Sequence, residues 1–276
     1  MKLRSAAASN DADASVPPPA DAPSSVSKAC RILRALTDHK SARLTDIAQH
    51  SGLDKATVLR LLDALAREGY VVRDDQTKLY TPGPELALAG AAALARFDPR
   101  ALVRPSLLRL AGEFEDTAIL SIPSGFESLC LDLELGRFPI RANYLEIGNR
   151  RLLGVGAGSL ALLAWMPQAE RDAVLPLVTA RLERYPRIDR ALLEERVAYA
   201  RAKGYAVLLD VVVDRMGGIS VPILGADGRP VAAISIAALT DRITSREHEL
   251  AEGLLREAAL CQALWPGATH TTETAR

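Results

Sequence analysis

LTDIAQHSGLDKATVLRLLDAL, residues 44–65, decides how this chain is read. The run predicts two short helices joined by a tight turn at Ser51-Gly52-Leu53. Ala48 is small, so the later helix can pack closely on the earlier one. Gly52 can adopt the positive φ that reverses the chain. Val58 and Leu61 turn inward and hold the pair at a fixed angle. Thr45 is expected to cap the start of the earlier helix and Asp54 the start of the later one. A helix seated in this way can enter a DNA major groove.

The flanks complete a winged helix-turn-helix. Upstream, Val26, Ala29, Ile32, Leu33 and Leu36 recur at helical spacing over Val26–Thr37. Downstream, Tyr70-Val71-Val72 and Leu79-Tyr80-Thr81 enclose the polar run Arg73–Lys78, which reads as a hairpin. Pro82-Gly83-Pro84 ends it. The candidate DNA-binding set is Thr45, Lys55, Ala56, Thr57, Arg60, Arg73 and Lys78. Lys55 and Arg60 can neutralise phosphates or donate to guanine, and Thr57 can bond to a base or a phosphate. The free N–H groups at the start of the later helix suit phosphate, and Arg73 and Lys78 can reach the backbone or the minor groove.

Composition fits this picture. The 276 residues allow about two domains, and 49% hydrophobic with 25% charged residues is ordinary for globular protein. Net charge is zero, yet residues 26–83 carry ten basic and seven acidic side chains, a local +3. Cys30, Cys130 and Cys261 are far apart and odd in number, so neither a zinc site nor a disulfide framework is expected. No signal peptide or membrane span is read, and a cytoplasmic location follows. Residues 1–25, rich in Ala, Ser, Asp and Pro, read as a disordered arm.

Glu85–Phe97, ELALAGAAALARF, is an alanine-rich helix with two readings: a connector packed against its twin in a dimer, or an ordinary core helix. Further helices are expected at Leu102–Phe114, Gly156–Met166, Ala169–Val178, Ala191–Lys203 and Glu247–Leu264. Strands are expected at Ala118–Ile122, Leu129–Leu135, Ala142–Ile147, Tyr205–Val213, Ile219–Leu224 and Val231–Leu239. Two groups of three strands with helices between and after suggest one antiparallel sheet with helices packed on it.

The turn Gly154-Val155-Gly156-Ala157-Gly158-Ser159 opens a helix. Its exposed N–H groups would admit an anion such as a carboxylate; equally, its glycines would let helix and sheet pack tightly. It matches neither GxGxxG nor a P-loop. None of the four histidines lies in a GxSxG or HExxH setting, and Ser159 has no base nearby in sequence. Asp210 and Asp214 could pair, but on a strand they read rather as surface charges.

Residues 26–264 resemble the IclR family of bacterial transcriptional regulators. The resemblance rests on LTDIAQHSGLDKATVLRLLDALAREGYVVRD, KLYTPGPELALAG, LLGVGAGSLALLA, the run ending Lys203-Gly204-Tyr205-Ala206-Val207, and GRPVAAISIAA. It implies an α+β chain: an N-terminal winged helix-turn-helix, a connecting helix, and a C-terminal GAF-like domain with an antiparallel sheet flanked by helices. It also implies a homodimer or homotetramer on a palindromic operator of double-stranded DNA, controlled by a small-molecule effector. The expected division is an arm at 1–25, the DNA-binding domain at 26–83, the connecting helix at 84–98, the effector-binding domain at 99–265 and a tail at 266–276.

By the same resemblance the effector pocket takes backbone donors from Ala157 and Gly158, with the opposite wall from Leu208, Met216, Gly218, Ser220 and Ser235. Many members carry an acidic residue where this chain has Leu208, a cysteine at Gly218 and a second serine at Ala237; Ser235 matches. Such a pocket suits a carboxylate on an apolar or aromatic body better than a small oxo-acid. A pocket that takes no effector, or an enzyme acting on a small carboxylic acid, is the alternative. No cofactor, metal or membrane partner is expected.

Overall fold

The computed structural model describes residues 24–39, 41–141 and 145–266. The expected arm and tail therefore lie outside the described residues, save for their innermost positions. The chain divides into two compact units, Met1–Leu88 and Ala89–Arg276.

Among the described residues the first unit holds α1 (Ser25–His39), α2 (Leu44–Ser51), α3 (Lys55–Arg67), β1 (Val71–Arg73) and β2 (Tyr80–Pro82). Ile32, Leu36, Ile47, Val58, Leu62, Val71 and Tyr80 form its core. Gly52 caps α2 at φ 67°, a conformation that costs a residue with a Cβ, and its N–H returns to the Ala48 carbonyl. Asp54 caps α3, its carboxylate accepting the Thr57 N–H at 2.8 Å. Thr45 is not a cap: α2 begins at Leu44 with Arg43 at its N-cap, two residues before Thr45, and the Asp46 carboxylate accepts the Arg43 N–H at 3.0 Å. In the hairpin Arg73 pairs with Tyr80, and Asp74 closes the turn by accepting the N–H groups of Gln76 and Thr77. Ala42 exchanges two backbone hydrogen bonds with Tyr80 and ties the wing to the loop before α2.

Next comes α4 (Pro84–Arg96), which has no buried residue. The core-helix reading of this segment is therefore set aside. Among the described residues of α4, Leu88 is 62% exposed and Leu94 45%.

The second unit runs α5 (Pro99–Phe114), β3 (Thr117–Ser124), β4 (Glu127–Glu134), β5 (Arg150–Leu152), α6 (Ala157–Trp165), α7 (Gln168–Thr179), α8 (Arg190–Lys203), β6 (Ala206–Leu209), β7 (Met216–Leu224), β8 (Pro230–Leu239), α9 (Thr240–Thr244) and α10 (Glu247–Leu264). Its six strands form one antiparallel sheet in the order β5-β4-β3-β8-β7-β6. One face is built on α5 and α10, with Leu120, Ile219, Val221, Ile234 and Ile236 meeting Leu107, Phe114 and Leu254. The other face meets α6 and α8, and here the sheet presents small side chains such as Ala233. The alternation within β7 and β8 is thus large toward α10 and small toward α6. It lets the start of α6 approach the strands closely.

Two strand expectations change. Residues 142–144 of the Ala142–Ile147 strand lie outside the described residues. The part that follows is a turn closed by the Asn149 N–H on the Glu146 carbonyl, and the edge strand is β5. The strand from Tyr205 stops at Leu209, because Asp210 turns to φ 59°. Asp210 then accepts the Thr240 hydroxyl at 2.8 Å, and Asp214 pairs with Arg187 at 2.9 Å, so both lie off the strand. In β4 the buried positions are Ser128, Cys130 and Asp132, whereas its leucines are half-buried. Arg104 and the Leu133 N–H satisfy the Asp132 carboxylate, which makes that burial tolerable.

Candidate nucleic-acid interface and ligand cavity

On α3 the core takes Val58, Leu61 and Leu62, leaving Lys55, Ala56, Leu59, Arg60 and Asp63 on the exposed face. Thr57 is half-buried, and Thr45, Arg73 and Lys78 are exposed in the same unit. The Arg73 guanidinium lies 5.6 Å from the centre of the Tyr80 ring, which steadies it at the root of the wing. Asp54 occupies one of the N–H groups that the sequence left for phosphate, and its backbone and side-chain bonds to Thr57 hold its carboxyl below the ordinary value. Leu59, 40% exposed beside Arg60, was not among the expected contacts. Helical spacing from Ala56 could have marked it.

In the second unit a cavity lies between the start of α6 and the sheet, with about 600 Å³ of empty space counting its open mouth. It brings together Ala157, Gly158, Leu208, Met216, Gly218 and Ser235 from the expected set. Ser220 is the exception. It is fully buried and its hydroxyl donates to the Ile234 carbonyl at 2.9 Å, because α6 packs over that part of β7. The sequence reading also missed Ser121, Ser128, Asn149 and Arg151, all of which line the cavity.

Helix α6 reaches this wall through a main-chain device. Gly156 stands at φ 103° as its N-cap and offers no side-chain cap, so the first N–H groups of the helix open on the cavity. The glycine-rich turn lets helix and sheet pack tightly, since a Cβ on Gly158 would lie 3.2 Å from the Ser121 Oγ. The floor is apolar where Ile119, Cys130 and Ala237 meet Leu145 and Met216. The Cys130 thiol is pushed up to about 12 by burial and then by the Asp132 charge, so it is neutral at physiological pH. Ser159 donates its hydroxyl to the Val155 carbonyl at 2.6 Å and the Gly156 carbonyl at 2.9 Å. Among the described residues no cluster of His, Cys, Asp or Glu could hold a metal, and no helix is long and apolar enough to cross a membrane.

Comparison with known proteins agrees with this architecture. The IclR helix-turn-helix domain model matches residues 25–75, and the bacterial transcriptional regulator IclR C-terminal model matches residues 91–262. The chain is 31% identical over 235 residues to the HTH-type transcriptional regulator BhcR of Paracoccus denitrificans (strain Pd 1222), covering 84% of this chain and 83% of that protein. It superposes on an IclR transcriptional regulator from Alicyclobacillus acidocaldarius with a TM-score of 0.71 at 25% identity, covering 87% of this chain and 97% of the other. An IclR homolog from Microbacterium hydrocarbonoxydans, solved in complex with 4-hydroxybenzoate, shares the fold with a TM-score of 0.63 at 23% identity, over 87% of this chain and 98% of that one. The chain belongs to the IclR family of bacterial transcriptional regulators, with the family's DNA-binding helix-turn-helix at its start and its effector-binding domain after it.

Proposed function

We propose that this regulator works in the cytoplasm as a homodimer or homotetramer on a palindromic operator, and that its effector is a carboxylate with an apolar or aromatic body. One observation carries the ligand class: the uncapped start of α6 opens on a cavity whose other walls include Leu208, Val211, Val212 and Met216. Main-chain donors there suit an anion, and the walls suit the rest of the molecule. The 4-hydroxybenzoate bound by the Microbacterium homolog is a ligand of this class. The oligomer is supported by the exposed Leu88 and Leu94 on α4, and by the few basic contacts one DNA-binding unit offers, which two half-sites would multiply. We read no catalytic step, since the Ser159 hydroxyl is turned to backbone carbonyls.

The test is a titration of operator binding against a panel of carboxylic acids, with light scattering on the same samples. Aromatic or branched acids should shift operator affinity, and the protein should be at least dimeric. Tight glyoxylate or pyruvate binding with none for larger acids would overturn the ligand class. A monomer at operator-saturating concentration would overturn the assembly.

A further inference from the structure

The strand register aims one cation at this cavity. Arg151 on β5 stands directly opposite Ser128 on β4, and directly opposed side chains of an antiparallel pair share a face. Cys130, two residues along β4, faces Ser121 of β3, and Ile119 of β3 faces Ser235 of β8. A row of small hydroxyls therefore crosses the cavity side of the sheet from β4 to β8, with the guanidinium at its end. The start of α6 lies over that end, where a Cβ on Gly156 would stand 3.3 Å from an Arg151 Nη1. Among the described residues that line the cavity, Arg151 is the one charged side chain; none is Asp, Glu, Lys or His. The neutral Cys130 thiol adds no negative charge.

We propose that Arg151 selects the charge of the effector: it takes the carboxylate together with the Ala157 and Gly158 N–H groups, leaving the body of the ligand against Leu208, Val211 and Met216. This rests on the reading above that the cavity takes a carboxylate. A planar guanidinium meets a carboxylate with two parallel N–H donors, whereas an amide of the same shape offers one acceptor and no charge.

The experiment uses the full-length protein and matched pairs of probes: benzoate with benzamide, 4-hydroxybenzoate with its amide, phenylacetate with phenylacetamide. Calorimetry reads each ratio of affinities. Wild-type protein should prefer at least one acid over its amide by about 10- to 100-fold, the range expected for charge-assisted hydrogen bonds. Arg151→Gln should bring that ratio to within about threefold while unfolding at a similar temperature without ligand. Should that variant fold poorly, Arg151→Lys decides instead: it should retain a preference for acid but lose several-fold in affinity, since an ammonium cannot fork. A strong acid preference kept in Arg151→Gln, or an unweakened Arg151→Lys, overturns the role of Arg151 and leaves the carboxylate reading standing. Wild-type protein that binds the amides as well as the acids, or none of the probes, overturns both.

Discussion

Gly158 and Ser235 meet so closely that a Cβ built on the glycine would stand 3.4 Å from the serine Oγ. One turn of helix and one strand of sheet are thus separated by little more than van der Waals contact, and the ligand cavity opens beside that seam. Substitution here sets two effects against each other. Alanine gains about 1 kcal/mol of helix propensity over glycine, and the crowded neighbours take most of it back. Gly158→Ala should leave thermal stability nearly unchanged. Gly158→Val should cost about 1–3 kcal/mol by overpacking and abolish the thermal shift given by carboxylates. Differential scanning fluorimetry with and without ligand checks both variants.

The exposed face of α3 sets the second prediction. Arg60→Ala should weaken operator binding by about 1–3 kcal/mol in gel shifts, and unchanged binding would remove Arg60 from the interface. Leu59, exposed beside it, has the chemistry to touch a thymine methyl group. Replacing thymine by uracil in a selected half-site should therefore weaken wild-type binding and have less effect on Leu59→Ala.

Between α5 and α10 the Glu257 carboxylate is 2% exposed and receives Arg109 at 3.0 Å and 2.7 Å. Burial pushes its carboxyl up, and the Arg109 fork and Ser106 hydroxyl outweigh this, leaving it below the ordinary 4.5. A depressed value in the folded state means stability that is present above pH 4.5 and lost as pH falls through the folded value. Arg109→Ala should cost about 3 kcal/mol by leaving the buried charge unpaired. It should also flatten the acid limb. With only Ser106 and the Arg256 charge left to oppose burial, the folded value rises toward the ordinary one, so the variant loses less stability than the wild type as pH falls. Melting temperatures from pH 4 to 8 distinguish the two profiles.

The thiols should separate by reactivity. Cys30 is exposed, whereas Cys130 and Cys261 are buried and burial raises both of them. Since the thiolate is the reactive form, a disulfide reagent at pH 8 should modify one thiol rapidly in the folded protein and all three after denaturation. Fast modification of two or three in the folded state would contradict this placement.

The helices were legible wherever their signals are local. Glu247–Leu264 was expected and observed with the same ends, and the Asp54 cap followed from a short polar side chain before an apolar period. Thr45 misled for the same reason: two residues near one helix start could cap it, and the Asp46 carboxylate took the Arg43 N–H. In β4 the alternation was legible, but not that Ser128, Cys130 and Asp132 bury deepest, with Asp132 meeting Arg104, 28 residues away in sequence.

Amino-acid order alone determined the winged helix-turn-helix, the chain's family and the glycine-rich opening of α6, because turn chemistry and hydrophobic period act over a few residues. Only the tertiary structure decided what lines the cavity. Strand register places Arg151 opposite Ser128, Ser121 opposite Cys130 and Ser235 opposite Ile119, and the packing of α6 withdraws Ser220. Register is set by which faces of distant strands are buried together, and a slip of one residue would turn each of these side chains to the other side.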